Sequence, residues 1–327
     1  MKNKRVKSAV KIGGGFLAGV LAPGVVHGCA CGCGVFDVAT STMLPQGQGG
    51  MAWVQYDYQD QNRNWSGYSQ APAANNGDKE IVTDFITTGI QYMFTPVWGA
   101  QLEVPYDYRS FKTTSSAPGS PITTINWWSL GDIRLEGIYT GFFPDQSAGV
   151  NFGLKLPTGN FSHENAYDDV DRDSEIGTGS TDILLGGFYR GNLDRNQTWD
   201  WYGQALLDVP TLREAGYLPG IELDSDLGID YKGFTLGRTL IAPLAQVIFS
   251  ERSSDSGRNA AGGINDNDNP IPGSDSGYQR LMLSPGLEIH IHPVVLYADA
   301  EFPVFQHFTG NQLVAPVLFK ANISFRF

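Results

Sequence analysis

The sequence predicts an all-β protein, a transmembrane antiparallel up-and-down β-barrel of about 12 strands. Three observations carry this expectation. Segments of about ten residues alternate apolar and polar side chains along most of the chain. No stretch after the first thirty residues approaches the roughly 18 apolar residues that a spanning helix needs. The links between segments alternate short and long. With 12% aromatic and only 17% charged residues, the composition suits a sheet that has one face in lipid and the other in water.

The N-terminus has the pattern of a targeting segment. Lys2, Lys4, Arg5, Lys7 and Lys11 precede a glycine-rich apolar stretch from Ile12 to Val26, and Val26-His27-Gly28 offers small residues for cleavage before Cys29. Acylation of Cys29 competes with simple cleavage, although Val26 and His27 fit a lipobox poorly. The expected organisation is a signal peptide over 1–28, a periplasmic Cys-rich segment over 29–47 and an outer-membrane barrel over 48–327, in a Gram-negative bacterium. The leader holds five of the 22 basic residues and none of the 34 acidic ones, so its removal takes the formal charge from −12 to −17. That balance argues against nucleic acid as a partner. It favours cationic solutes, or divalent cations at the loops.

The strands are expected at about 49–60, 80–94, 97–110, 128–142, 147–157, 178–191, 198–209, 221–232, 233–251, 278–291, 294–305 and 313–327. In the third, Trp98, Ala100, Leu102, Val104, Tyr106 and Tyr108 alternate with Gln101, Glu103, Asp107 and Arg109. The fifth sets Ala148, Val150, Phe152, Leu154 and Leu156 against Asn151 and Lys155. The eleventh sets Leu296, Ala298, Ala300, Phe302 and Val304 against Tyr297, Asp299 and Glu301. The ninth is the poorest, because Pro243 interrupts it. In the last, Phe319, Ala321, Ile323, Phe325 and Phe327 share a face opposite Lys320, Asn322, Ser324 and Arg326.

Short links fall near Thr95-Pro96, Phe143-Pro144-Asp145, 191–197, Tyr231-Lys232-Gly233 and His292-Pro293, and long polar ones at 61–79, 111–127, 158–177, 210–220, 252–277 and 306–312. Short periplasmic turns facing long external loops are the habit of such barrels, and an even strand count leaves the N-terminus periplasmic. Lipid offers strand edges no hydrogen bonds, so the sheet has to close. Tyr56, Tyr58, Tyr92, Trp98, Tyr106, Tyr108, Trp199 and Trp201 are candidates for aromatic girdles. The terminal Phe327 is the expected signal to the barrel assembly machinery. Outer-membrane lipid and lipopolysaccharide are the expected surroundings.

Two segments carry a family resemblance. Gly153-Leu154-Lys155-Leu156-Pro157-Thr158-Gly159-Asn160-Phe161 leads into a loop, and Ile176-Gly177-Thr178-Gly179-Ser180-Thr181-Asp182-Ile183-Leu184-Leu185-Gly186 leads out of it, with Gly131-Asp132-Ile133-Arg134-Leu135 upstream. Together they resemble the MetA-pathway-of-phenol-degradation family of outer-membrane transporter-like barrels, over roughly residues 80 to 327. The resemblance implies passage of small, hydrophobic or aromatic solutes.

Polar strand faces are expected to line the lumen through Gln101, Glu103, Arg109, Asp132, Arg134, Glu136, Asp299 and Glu301. Charged groups there would set selectivity by their local field. A metal-handling role is the first alternative. All three cysteines lie in Cys29-Ala30-Cys31-Gly32-Cys33, a spacing that suits a soft metal such as Cu(I) better than a strained disulfide. His290 and His292 are expected at the same periplasmic mouth. The acidic runs 168–175 and 266–269 could hold Ca²⁺, although solvated loops are the simpler expectation. A plugged structural or surface-interaction barrel is the second alternative. An enzyme is not expected. The chain has no nucleophile elbow, P-loop or dinucleotide fingerprint, and no serine is arranged with His163 or His307 as in an outer-membrane phospholipase.

Overall fold

The computed structural model describes residues 43–45, 47–114, 120–164, 170, 172–213, 215–257 and 276–327. The leader, Cys29, Cys31, Cys33 and the acidic run 266–269 lie outside them, as do 168, 169 and 171 of the first acidic run. The barrel strands are β1 (Gly49–Gln61), β2 (Asp78–Met93), β3 (Trp98–Thr114), β4 (Ile122–Leu130 and Ile133–Tyr139), β5 (Ala148–Leu156), β6 (Ser180–Asn192), β7 (Trp199–Arg213), β8 (Glu222–Tyr231), β9 (Thr239–Arg252), β10 (Tyr278–Ile291), β11 (Val294–Val314) and β12 (Leu318–Arg326). Each pairs antiparallel with the next. The circle closes where β1 meets β12, from Met51↔Arg326 to Gln59↔Leu318. No helix among the described residues is long and apolar enough to cross a membrane.

The pleat sorts side chains as a bilayer requires. On β12, Phe319, Ile323 and Phe325 are exposed while Lys320, Asn322 and Ser324 are buried. Exposed large apolar groups outside and buried charges inside invert the order of a soluble protein. A closed sheet of this kind satisfies its backbone internally and is solvated by acyl chains. Two aromatic belts bound the apolar band. At the end where β1 begins and β12 finishes, Trp98 meets Tyr139 at 4.6 Å, Tyr189 meets Trp201 at 5.3 Å and Trp199 meets Tyr231 at 4.8 Å. Towards the other end Trp128 lies between Tyr106 and Tyr108, at 5.6 and 5.0 Å.

Several strand boundaries differ from the sequence expectation. β3 runs on to Thr114 and β4 begins at Ile122, inside a stretch expected as loop. Above the hydrocarbon both faces of a strand are wet, so the apolar face that marks a buried strand is lost. β4 is broken at Gly131-Asp132, and its register against β3 shifts by one residue across the break. The turn between β8 and β9 is not at Tyr231-Lys232-Gly233. The short strand Phe234–Leu236 folds back on β9, pairing Leu236 with Thr239 across Gly237-Arg238. Gly237 adopts φ +63°, which a glycine tolerates freely.

β11 needs the same care. Its first part follows β10 as far as Tyr278↔Phe308, while Gln312 to Val314 pair with the short strand Arg63–Gly67 that prolongs β1. Those last residues keep the register that β12 holds against β1, so the chain has already reversed near Gly310 (φ +71°). The descending strand therefore starts close to 313, where the alternation of the sequence starts it.

Candidate functional site: a polar lumen crossed by two segments

The inner wall is charged and largely paired with itself. Lys155 lies 2.5 Å from both Asp182 and Asp208. Lys320 lies 3.6 Å from Glu301. Gln246 accepts from Tyr202 Oη at 2.7 Å, and its amide reaches Asp299 at 2.8 Å and Tyr297 at 2.9 Å. Gln91 donates to Gln101 at 3.2 Å, and Gln101 in turn to Glu103 at 3.0 Å. Of the residues expected to line the lumen, Gln101, Arg109, Asp132, Glu136, Asp299 and Glu301 are buried inside the barrel. Glu103 and Arg134 are half-buried and border the upper cavity described below.

The loop between β5 and β6 folds into this lumen. Val170, Arg172, Asp173, Ser174 and Glu175 are all buried. Two side chains of the wall hold it. Asp132, freed by the break in β4, accepts from Gly159 N at 2.9 Å, Thr178 N at 2.8 Å and Thr178 Oγ1 at 2.6 Å. Arg109 donates to the carbonyls of Ser174 at 2.5 Å and Glu175 at 3.0 Å. The two glycine-rich motifs thereby meet. A Cβ on Gly177 would stand 2.4 Å from the Gly159 carbonyl carbon, an approach only glycine allows. Thr158 Oγ1 accepts from Ile133 N and donates to Gly131 O, both at 2.9 Å, fastening the loop to the same break. His163 stacks on Trp127 at 4.7 Å and sits 3.2 Å from Glu175 Oε2. Desolvation there holds its pKa below the ordinary histidine value.

A second segment lies at the opposite end of the lumen, where β1 begins and β12 finishes. Met43 packs on Met51 and Trp53 of β1, and Leu44 on Phe188 of β6 and Tyr202 of β7. Gln91 donates to Met43 O at 3.3 Å. These walls face one another across the barrel, so Met43-Leu44-Pro45 bridges the lumen. Above it lies a cavity of about 160 Å³, bounded by Met43, the inward loop and the β1–β3 wall. Below it lies one of about 590 Å³, bounded by Leu44, Arg190, Tyr202, Asp230, Lys232 and Arg326.

The expected metal ligands are not brought together among the described residues. His290 faces the lower cavity with Nε2 2.8 Å from Glu288 Oε2, whereas His292 is exposed at the turn. No group of three or more His, Cys, Asp or Glu side chains among the described residues could hold a metal ion. Phe327 exchanges backbone hydrogen bonds with Gly50 at 2.7 and 2.9 Å, and its ring stacks on Phe325. His307 lies against Tyr68 at 4.4 Å.

Sequence reasoning did not place Asp57, Asp182, Asp208, Tyr217 or Arg252 at the lumen, it read Arg172 and Asp173 only as part of a solvated or Ca²⁺-binding loop, and it missed the bridging role of Met43 and Leu44. Asp182 and Asp208 were visible as charges on alternating strands. So was Asp57 on β1, whereas the others lie in or against loops, where no periodicity marks an inward face.

No protein-family model and no curated protein matches the chain. Among solved structures, an outer-membrane channel from Pseudomonas putida F1 is similar over 89% of this chain and 100% of its own, with TM-score 0.60 and 11% identity. The β-domain of the Bordetella autotransporter BrkA is similar over 86% and 100%, with TM-score 0.51 and 13% identity. At these identities the likeness is one of fold. The closed sheet, its inverted polarity and these neighbours make the chain an outer-membrane-type β-barrel.

Proposed function

We propose that the protein is an outer-membrane channel for small solutes, narrowed from outside by the loop between β5 and β6 and from the periplasm by residues 43–45. The observation that carries this reading is the pair of polar cavities on opposite sides of that three-residue bridge. A barrel serving only as a scaffold would have no need of a hollow interior with so many charges. The resemblance of the glycine-rich motifs to those of the MetA-pathway family favours an aromatic or otherwise hydrophobic body in the solute. The charged wall requires polar groups on it as well. Swelling of liposomes that contain the purified protein tests the reading. Swelling in solutes of a few hundred daltons supports it. No swelling, either by the full protein or by one lacking residues 29–47, overturns it. The two crossing segments also favour a second reading, a permanently plugged surface barrel, and that double failure would establish it.

A further inference from the structure

The upper cavity carries an unbalanced charge. Eight carboxylates and five cationic side chains line it. The cations are engaged, Arg134 through the charge of Asp208. Lys155 is held between Asp182 and Asp208, and Arg252 donates to Asp255 at 2.8 Å. Arg109 is spent on the two loop carbonyls. Arg172 donates to Thr178 O at 3.0 Å, with Phe161 and Tyr217 rings 4.0 and 4.8 Å from its guanidinium. Asp173 is different. It is 4% exposed and borders the cavity, yet neither carboxylate oxygen takes a hydrogen bond from a side chain among the described residues. A buried carboxylate whose nearby cation, Arg252, is already paired with Asp255 is costly, and a cation arriving from the cavity would relieve it.

The rest of the cavity suits a particular shape of cation. Trp53, Phe85, Ile176 and Tyr217 supply apolar and aromatic surface to its lining. Cavities of about 150 Å³ admit a benzene-sized body, close to the 160 Å³ here. Aromatic faces also attract cations. We propose that Asp173 anchors a subsite for a small organic monocation, an ammonium or guanidinium group joined to an aromatic or aliphatic body. The proposal rests on the channel reading and narrows its solute class. The acidic surplus of the chain would concentrate such cations at the mouth.

Calorimetric titration of the full protein in detergent tests the subsite with three probes of one size: benzylammonium, benzyl alcohol and benzoate. Benzylammonium is expected to bind at least tenfold more tightly than either of the others. Asp173→Asn should weaken it at least tenfold, while Glu164→Gln, an equal charge change at an exposed position of the same loop, should not. Benzoate or benzyl alcohol binding as well as benzylammonium would overturn the proposal, and so would an unaltered affinity in folded Asp173→Asn. The probe comparison on the unmodified protein stands even if the variant does not fold. Benzylammonium binding without solute flux would keep the subsite and remove the channel. Flux without such binding would do the reverse.

Discussion

Asp132 is a short side chain that joins three parts of the chain. The break in β4 turns its carboxylate away from the ladder, and three donors from the two glycine-rich motifs converge on it. Hydrogen bonds to a charged group contribute roughly 1.5–3 kcal/mol each and do not add fully. Asp132→Ala should therefore weaken the clasp by about 2–4 kcal/mol. In the intact barrel, the buried stretch 172–179 should become accessible to protease, and a stretch that stays protected would show that Arg109 alone holds it. Asp173 gives a second residue-level expectation, in pH. Burial first, and then the nearby Asp255, push its pKa well above the ordinary carboxylate range, with Arg252 pulling the other way. Among the described residues Tyr217 also lies near it, with the guanidinium of Arg172 over the Tyr217 ring. A bound cation favours the ionised form, so binding must release a proton. Benzylammonium affinity should rise with pH through that raised pKa and then level off. A flat profile between pH 4 and 9 would mean that Asp173 is not the group that meets the cation.

Among the elements, the bridge 43–45 lends itself to removal without disturbing the wall, since it is no part of the sheet. Deleting residues 29–47 should join the two cavities and raise single-channel conductance several-fold, while the barrel keeps its heat-modifiable migration on gels. Unchanged conductance would assign the narrowing to the loop between β5 and β6. The sequence makes these elements legible to different degrees. β5 and β12 stand where alternation places them, because each has one face in lipid and the other in the lumen, the condition that writes a period of two into a sequence. The upper half of β4 was hidden because Thr123, Thr124 and Asn126 rise where neither face meets lipid. Met43-Leu44-Pro45 was hidden because three residues carry no period, and their apolar character becomes meaningful only beside Trp53 and Phe188. Arg109 and Asp132 were legible as inward charges. That both hold a loop was not, since their partners are backbone groups of a segment distant in sequence.

For the whole molecule, the decisive property is that its outside is greasier than its inside, and depth in the membrane grades the consequence. Leu102 lies on β3 midway between Trp98 and Tyr106, which belong to the two aromatic belts, and its neighbours across the strands are Ile90 and Leu135, both exposed. Leu236 is still more exposed, at 75%, but it sits at the hairpin tip beyond the belt residues Tyr231 and Phe234. In a soluble protein, an arginine at either exposed site would cost little. In a bilayer the cost depends on depth, about 2–4 kcal/mol at the midplane and about 0–1 near the interface. Leu102→Arg should therefore destabilise the barrel by about 2–4 kcal/mol and Leu236→Arg by less than about 1 kcal/mol, both read from urea unfolding in lipid vesicles. Exposure alone predicts the opposite order, because Leu236 is the more open of the two. The ranking thus separates a lipid-facing wall from a water-facing one. Equal and small costs at both positions would place the exterior in water, and with it fall the girdles, the inward loop as a constriction and the channel itself.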